Sequence, residues 1–158
     1  MDNRVFRDAM GKFATGVTVL TTINDGEPHG MTANGFMSVS LTPKLVVISI
    51  GHKAKFLEKI KKSGVFAVNI LAAHQQNYSK IFAGQQDGQV AFNELAGLPV
   101  VDEALAQVAC KVTAEHVEGD HTLFIGEVLE IKLVQGNPLL FFGGQYRSLT
   151  QLEVIENS

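Results

Sequence analysis

The chain has 158 residues, a formal net charge of −3 and a hydrophobic fraction of 46%, which suits one domain spanning 1–158 and carries more apolar surface than a lone chain of this length hides readily, so self-association is expected. The acidic balance argues against a nucleic-acid partner, no apolar run nears the roughly 20 residues that span a bilayer, and Met1-Asp2-Asn3-Arg4 has no apolar stretch behind it to act as a secretory signal. Cys110 is the single cysteine, which rules out an internal disulfide, suits a reducing cytoplasm and, within the run Val108-Ala109-Cys110, reads as a buried inert thiol.

Residues 3–13 have helical spacing, with Val5, Phe6, Ala9, Met10 and Phe13 on one face and Asp2 or Asn3 as cap. Gly11 and Gly16 then flank Lys12, Phe13, Ala14 and Thr15, where the chain passes from helix to strand and another backbone can approach closely. Residues 17–24 are rich in Val, Thr and Ile, and Asp25-Gly26 is a hairpin signal. Residues 29–43 begin as a strand and become a run of small hydroxyl- and amide-bearing residues interleaved with Phe36, Met37 and Val39. Charged side chains are absent between His29 and Lys44, so a ligand held there is gripped by dipoles and packing. A flat, heteroatom-rich ring such as a flavin suits that surface; a polar barrel rim has the same look.

Residues 44–50 read as a buried strand and 54–63 as a helix with Phe56, Leu57 and Ile60 inward, Lys55, Lys59, Lys61 and Lys62 mostly outward, and Gly64 as its left-handed stop. Between them Gly51, His52 and Lys53 stand where a helix start favours an anion, with Lys53 adding a charge at the place of a phosphate. Residues 65–71 form another strand, 74–82 a helix, and 84–89 a loop. Long strands over 108–117 and 122–134 flank the turn Glu118-Gly119-Asp120-His121; that turn needs no function, yet a histidine at a barrel rim can also contact a reduced cofactor, and both readings stay open. A last strand at 139–142 precedes Gly143-Gly144 and Tyr146, which could cover a flat ligand or sit as an ordinary surface tyrosine. Strands outnumber helices and hairpins outnumber crossovers, so the expectation is a closed or nearly closed antiparallel barrel with peripheral helices.

Several chemistries lack their signatures. There is no dinucleotide fingerprint or P-loop, the histidines at 29, 52, 74, 116 and 121 make no metal-ligand spacing, and no nucleophile elbow is present. No metal site is expected.

The ordered set Phe13-Ala14-Thr15-Gly16-Val17-Thr18-Val19, His29-Gly30-Met31-Thr32-Ala33-Asn34, Ser38-Val39-Ser40-Leu41-Thr42-Pro43, Phe82-Ala83-Gly84, the 119–128 segment and the closing Leu139 to Tyr146 motif resembles the short-chain flavin reductases of the split-barrel flavin-binding family. The likeness is greatest to the reductase components of two-component phenol hydroxylases. It implies a mainly β protein, a six-stranded antiparallel Greek-key split barrel with peripheral helices, assembled as a homodimer that binds FAD or FMN and takes hydride from NADH. It further implies that Thr32, Ala33, Asn34, Ser38, Val39 and Ser40 line the flavin ring and ribityl chain, with Phe82, Ala83 and Gly84 alongside. Ser49, Gly51 and Lys53 would hold the phosphate end. His121 would be the catalytic-site residue that positions the nicotinamide, with Lys12, Phe13, Gly119, Asp120 and Tyr146 around the dinucleotide. Reduced flavin would pass to a separate oxygenase. A non-catalytic flavin- or haem-binding barrel is the competing reading. A pyridoxamine-phosphate-oxidase-like enzyme fits less well, because Arg4, Arg7 and Arg147 are the only arginines.

Overall fold

Helix α1 (Asn3–Met10) starts where the Asp2 carboxylate accepts the Arg4 N–H at 2.8 Å, the capping role expected of that residue. It ends three residues before the expected 13, where Gly11 donates to the Arg7 carbonyl at 2.8 Å. The computed structural model describes residues 1–150 and Ile155. After α1 come β1 (Thr15–Gly16), β2 (Thr18–Asn24), β3 (Glu27–Ala33), β4 (Phe36–Leu41), β5 (Lys44–Gly51), α2 (Phe56–Ser63), β6 (Val65–Ile70), a 3-10 turn over Ala73–Gln75 and α3 (Gln76–Phe82). The second half holds β7 (Phe92–Leu95), β8 (Leu98–Val101), β9 (Ala106–Glu118), β10 (His121–Leu133), β11 (Leu140–Phe142) and β12 (Gln145–Arg147).

Asp25 and Gly26 have φ values of 50° and 77°, the pairing that turns a chain back with the twist of its flanking strands, here β2 and β3. The main sheet runs β3-β2-β6-β9-β10-β5-β4, with every neighbouring pair antiparallel. Its two edges, β3 and β4, are consecutive in the chain and joined only by Asn34-Gly35. Met31 and Ala33 on one edge and Phe36 on the other pack against the same core, so the sheet curls until its unpaired edges converge on that core as a split barrel. The split-barrel expectation stands, with one correction: the sheet has seven strands and not six. The added strand is β4, whose Ser38 and Ser40 make it read as a binding loop. It forms because an edge strand needs only one partner and can leave a polar face in water.

The barrel interior is filled by Leu20, Ile48, Ile50, Phe66, Val68, Cys110 and Phe124, capped by Phe56, Leu57 and Ile60 of α2, the three residues expected inward. Gly64 closes α2 with φ 70°. Gly126 of β10 provides a notch: a Cβ there would stand 2.5 Å from Phe66 Cζ and 3.0 Å from Cys110 Cβ. Burial pushes the Cys110 thiol up to about 12, which keeps it protonated and unreactive. On the other side of β6, Asn69 is fully buried and ties three segments together. Its Nδ2 donates to the Val19 carbonyl at 2.9 Å and to Thr21 Oγ1 at 3.1 Å, and its Oδ1 accepts the Val101 N–H at 2.8 Å.

Strands β1, β11 and β12 form a small separate sheet beside the barrel, and β7–β8 form a hairpin against β6 and β9. Neither the hairpin nor β12 was legible in the sequence. None of α1 is buried; Val5, Phe6 and Met10 are all exposed, as are Met37, Val39 and Leu41 on β4 and Leu129, Ile131 and Leu133 on β10. Among the described residues no helix is long and apolar enough to cross a membrane.

Candidate functional site

The seam where β3 gives way to β4 is the natural place for a ligand, because two sheet edges part there and leave backbone and short side chains exposed. Asn34, in that seam, lines three adjoining clefts of about 290, 400 and 330 Å³. The first lies between the end of β3 and α3, and is walled by Thr32, Ala33, Ser79, Ala83 and Tyr146. The second and third continue past Phe36, Phe13 and Thr15 to the exposed face of α1. Arg7 is the one charged side chain lining any of the three among the described residues.

The walls are held by short hydrogen bonds. The Thr32 hydroxyl donates to the Ser79 carbonyl at 2.6 Å, fastening β3 to α3. The Ser79 and Tyr146 hydroxyls share a hydrogen bond at 2.6 Å, and the Tyr146 ring meets Phe141 edge-on at 5.5 Å between centroids. Tyr146 is therefore a fixed wall of the cleft. Phe82 lies under Gly30, where a Cβ would stand 2.6 Å from its ring; it supports β3 from below, while Ala83 faces the cleft.

A second set of residues gathers at the barrel rim. Register places Gly51 opposite His121 and Ser49 opposite Leu123. Gly35 accepts the Ser49 N–H at 2.9 Å, and a Cβ on Gly35 would stand 3.2 Å from that of Ser49. A strip thus runs from Asn34-Gly35 over Ser49 to Gly51 and His121, with two residue steps along β5, roughly 7 Å, from Ser49 to Gly51. Gly119 and Asp120 are the two-residue loop of the β9–β10 hairpin, Gly119 at φ 62°. His121 Nδ1 donates to Asp120 Oδ1 at 2.7 Å. That hydrogen bond, and then the charge beside it, hold the Asp120 carboxyl below the usual carboxylate range. A depressed pKa means the bond's contribution is present above that range and is lost as pH falls through the lowered value.

Of the residues proposed from sequence, Thr32, Ala33, Asn34, Ala83, Tyr146 and Phe13 are brought together around the clefts. Ser49, Gly51, Gly119, Asp120 and His121 are joined along the rim strip. Others stand apart within one chain. Ser38, Val39 and Ser40 run away from Ser49 along β4, opposite Val46 and Leu45, with a bulge at Val39. Lys53 and Gly84 are exposed, and Lys12 lines none of the clefts. The expected helix start at 54 is instead a turn, Ala54 donating to Gly51 at 3.0 Å, with α2 beginning at Phe56. Sequence reading passed over Ser79, Gln85 and Thr15 as site residues. The first two sit on and after a helix with no motif of their own; Thr15 was within reach as a hydroxyl between two flexible glycines.

The Thr15 hydroxyl also tests whether a polar ring suits the site. Among the described residues, Thr15 Oγ1 is the one buried side-chain polar atom without a hydrogen-bond partner, a condition that costs about 1–3 kcal/mol unless something meets the group. It borders the clefts that Asn34 and Phe13 share. A part-aromatic groove, uncharged but for Arg7, with a spare hydroxyl and the Asn34 amide fits a flavin or nicotinamide ring.

Comparison with known proteins agrees with this reading. Residues 10–150 match the family described as flavin reductase like domain. The NADH-dependent flavin reductase of a Rhodococcus species is 44% identical over 151 residues, covering 92% of this chain and 86% of that protein. The reductase component of 4-hydroxyphenylacetate 3-monooxygenase from Thermus thermophilus is 38% identical over 145 residues, covering 91% and 95%. The solved structure of the flavin reductase PheA2 in its native state superposes with a TM-score of 0.94 at 61% identity, covering 96% of this chain and all of that one, 100%. With the curled sheet, its open seam and a family match running from α1 to the end of the described strands, this chain belongs to the flavin reductase like domain family.

Proposed function

We propose that the chain, as one domain, is an NADH-dependent flavin reductase that reduces FAD or FMN and releases it to a separate oxygenase component. The carrying observation is the groove around Asn34, uncharged but for Arg7, with the unmatched Thr15 hydroxyl beside it. The relatives' names as NADH-dependent flavin reductase and as monooxygenase reductase component support the same reading. Thr32, Ala33, Asn34, Ala83 and Tyr146 bind the flavin ring; Ser49, Gly51 and Lys53 receive its phosphate end; His121, with Gly119, Asp120, Lys12 and Phe13, sets the nicotinamide. Ser38, Val39 and Ser40 meet the ligand along the outer edge of β4, and Phe82 and Gly84 shape the approach from α3.

The two cofactors supply the hydride transfer itself. The chain's part is to hold two flat rings face to face and exclude water between them. It needs no nucleophile of its own, which agrees with the buried, protonated Cys110. A cytoplasmic location suits the free thiol. A second copy of the chain covers the exposed apolar residues of α1, β4 and β10, an area too large to be left in water; sedimentation equilibrium is expected to give twice the chain mass, and a monomer at micromolar concentration would remove this part of the reading.

The primary test is NADH oxidation followed at 340 nm with and without added FAD or FMN. Turnover that requires flavin is expected. A chain that binds flavin yet leaves NADH untouched is a binding module instead.

A further inference from the structure

His52 has no place in the function as proposed, and a lone histidine after a strand is ordinarily a solvated side chain. His52 is exposed, yet two hydrogen bonds hold it. The His52 backbone N–H donates to the Asp120 carbonyl at 2.9 Å, and its ring Nε2 shares a hydrogen bond of 3.0 Å with Thr122 Oγ1. The two contacts fall on either side of His121. Thr122 is 1% exposed, and the His52 ring is the side-chain partner of its hydroxyl.

We infer that His52 is a positioning residue for His121, gripping the hairpin on both sides of that imidazole and so fixing where the ring meets the nicotinamide. The inference rests on the reductase reading for its consequence, though not for its geometry. The imidazole is already confined from two other directions. Nδ1 is committed to Asp120 at 2.7 Å, and the ring lies over Gly51, where a Cβ would stand 3.5 Å from Nε2. Those two restraints fix the ring relative to its own hairpin and to β5. They do not reach past His121 into the strand, and Gly119 and Asp120 form an exposed two-residue loop. The His52 backbone N–H ties the tip to the first residue beyond β5, and the imidazole adds the grip on Thr122, which is the half of the clamp that His52→Ala removes. Nε2 of His121 is then the one ring nitrogen left for a ligand, held at a set height above Gly51.

The test compares His52→Ala and His52→Gln in the native chain and again with His121→Ala. His52→Ala is expected to raise the KM for NADH about fivefold, as loss of one ordinary hydrogen bond's worth of orientation, with a smaller change in kcat and in flavin affinity. Glutamine places an amide near the position of Nε2 and is expected to restore KM to within about twofold of the native value by remaking that hydrogen bond. In the His121→Ala background, His52→Ala should add nothing further. An unchanged KM, or the same fivefold loss with and without His121, overturns the inference. The ring 15N–1H signals of His121, recorded without ligand, separate this outcome from failure of the reductase reading. If the native chain does not oxidise NADH, shifted His121 signals in His52→Ala still support the clamp, and unmoved signals sink it.

Discussion

Replacing His121 by alanine is expected to raise the KM for NADH by about thirtyfold while flavin affinity changes by less than about threefold. The size follows from what the proposed role would lose: one directed hydrogen-bonding nitrogen and the ring surface set against the nicotinamide, together about 2 kcal/mol. The selectivity follows from placement. His121 lies at the rim opposite Gly51 and lines none of the clefts around Asn34. In the role proposed for it, with Nδ1 committed to Asp120, His121 orients the nicotinamide and supplies no essential proton, so His121→Asn is expected to retain measurable turnover. Steady-state kinetics at 340 nm with a parallel flavin titration read both quantities. A KM that stays put would take His121 away from the nicotinamide, and turnover abolished in His121→Asn with NADH affinity intact would give it a chemical role instead.

Asn69→Leu is expected to cost about 4 kcal/mol of folding stability and to lower Tm by about 12 °C. Leucine is near enough in size to fill the space, so the loss is one of hydrogen bonds. Three groups lose a partner at once: the Val19 carbonyl, Thr21 Oγ1 and the Val101 N–H. Thr21 retains the Pro99 carbonyl at 2.6 Å, so the Val101 N–H and the Val19 carbonyl carry most of the penalty. Both are in strands that have no water beside them, β8 being buried throughout. Urea unfolding would show the loss as a lower midpoint at an unchanged slope. A change of less than about 1 kcal/mol would mean that water reaches these groups and that the β8 hairpin is not anchored as described.

The sequence made the barrel legible where burial alternates or runs continuously. Strands β2, β5, β6, β9 and β10 carry Val/Ile/Thr-rich runs, and the Asp25-Gly26 and Gly119-Asp120 turns mark their reversals. What it hid has a common cause. Strand β4 is an edge whose Ser38 and Ser40 look like a binding loop, and the β7–β8 hairpin is only four residues a side. Short edge elements are set by the partners they find late in folding rather than by their own periodicity. The site was legible in the same partial way. Thr32, Ala33 and Asn34 stand out as uncharged polar residues at a strand end, and Tyr146 follows two glycines. Ser79 and Gln85 reach the cleft only because Thr32 pins β3 to α3, a contact between residues far apart in the chain. His52 was hidden for the same reason: its partner Thr122 is 70 positions away.

The notch at Gly126 makes three positions into one evolutionary unit. The Phe66 ring and the Cys110 Cβ occupy the volume that any side chain at 126 would need. A lineage that acquires alanine or valine there must therefore pass through, or compensate with, a smaller residue at 66 or 110. Among the descendants of this chain, the size of residue 126 should vary inversely with the summed size of those two, a three-way covariation set by volume alone and blind to whatever the protein reduces.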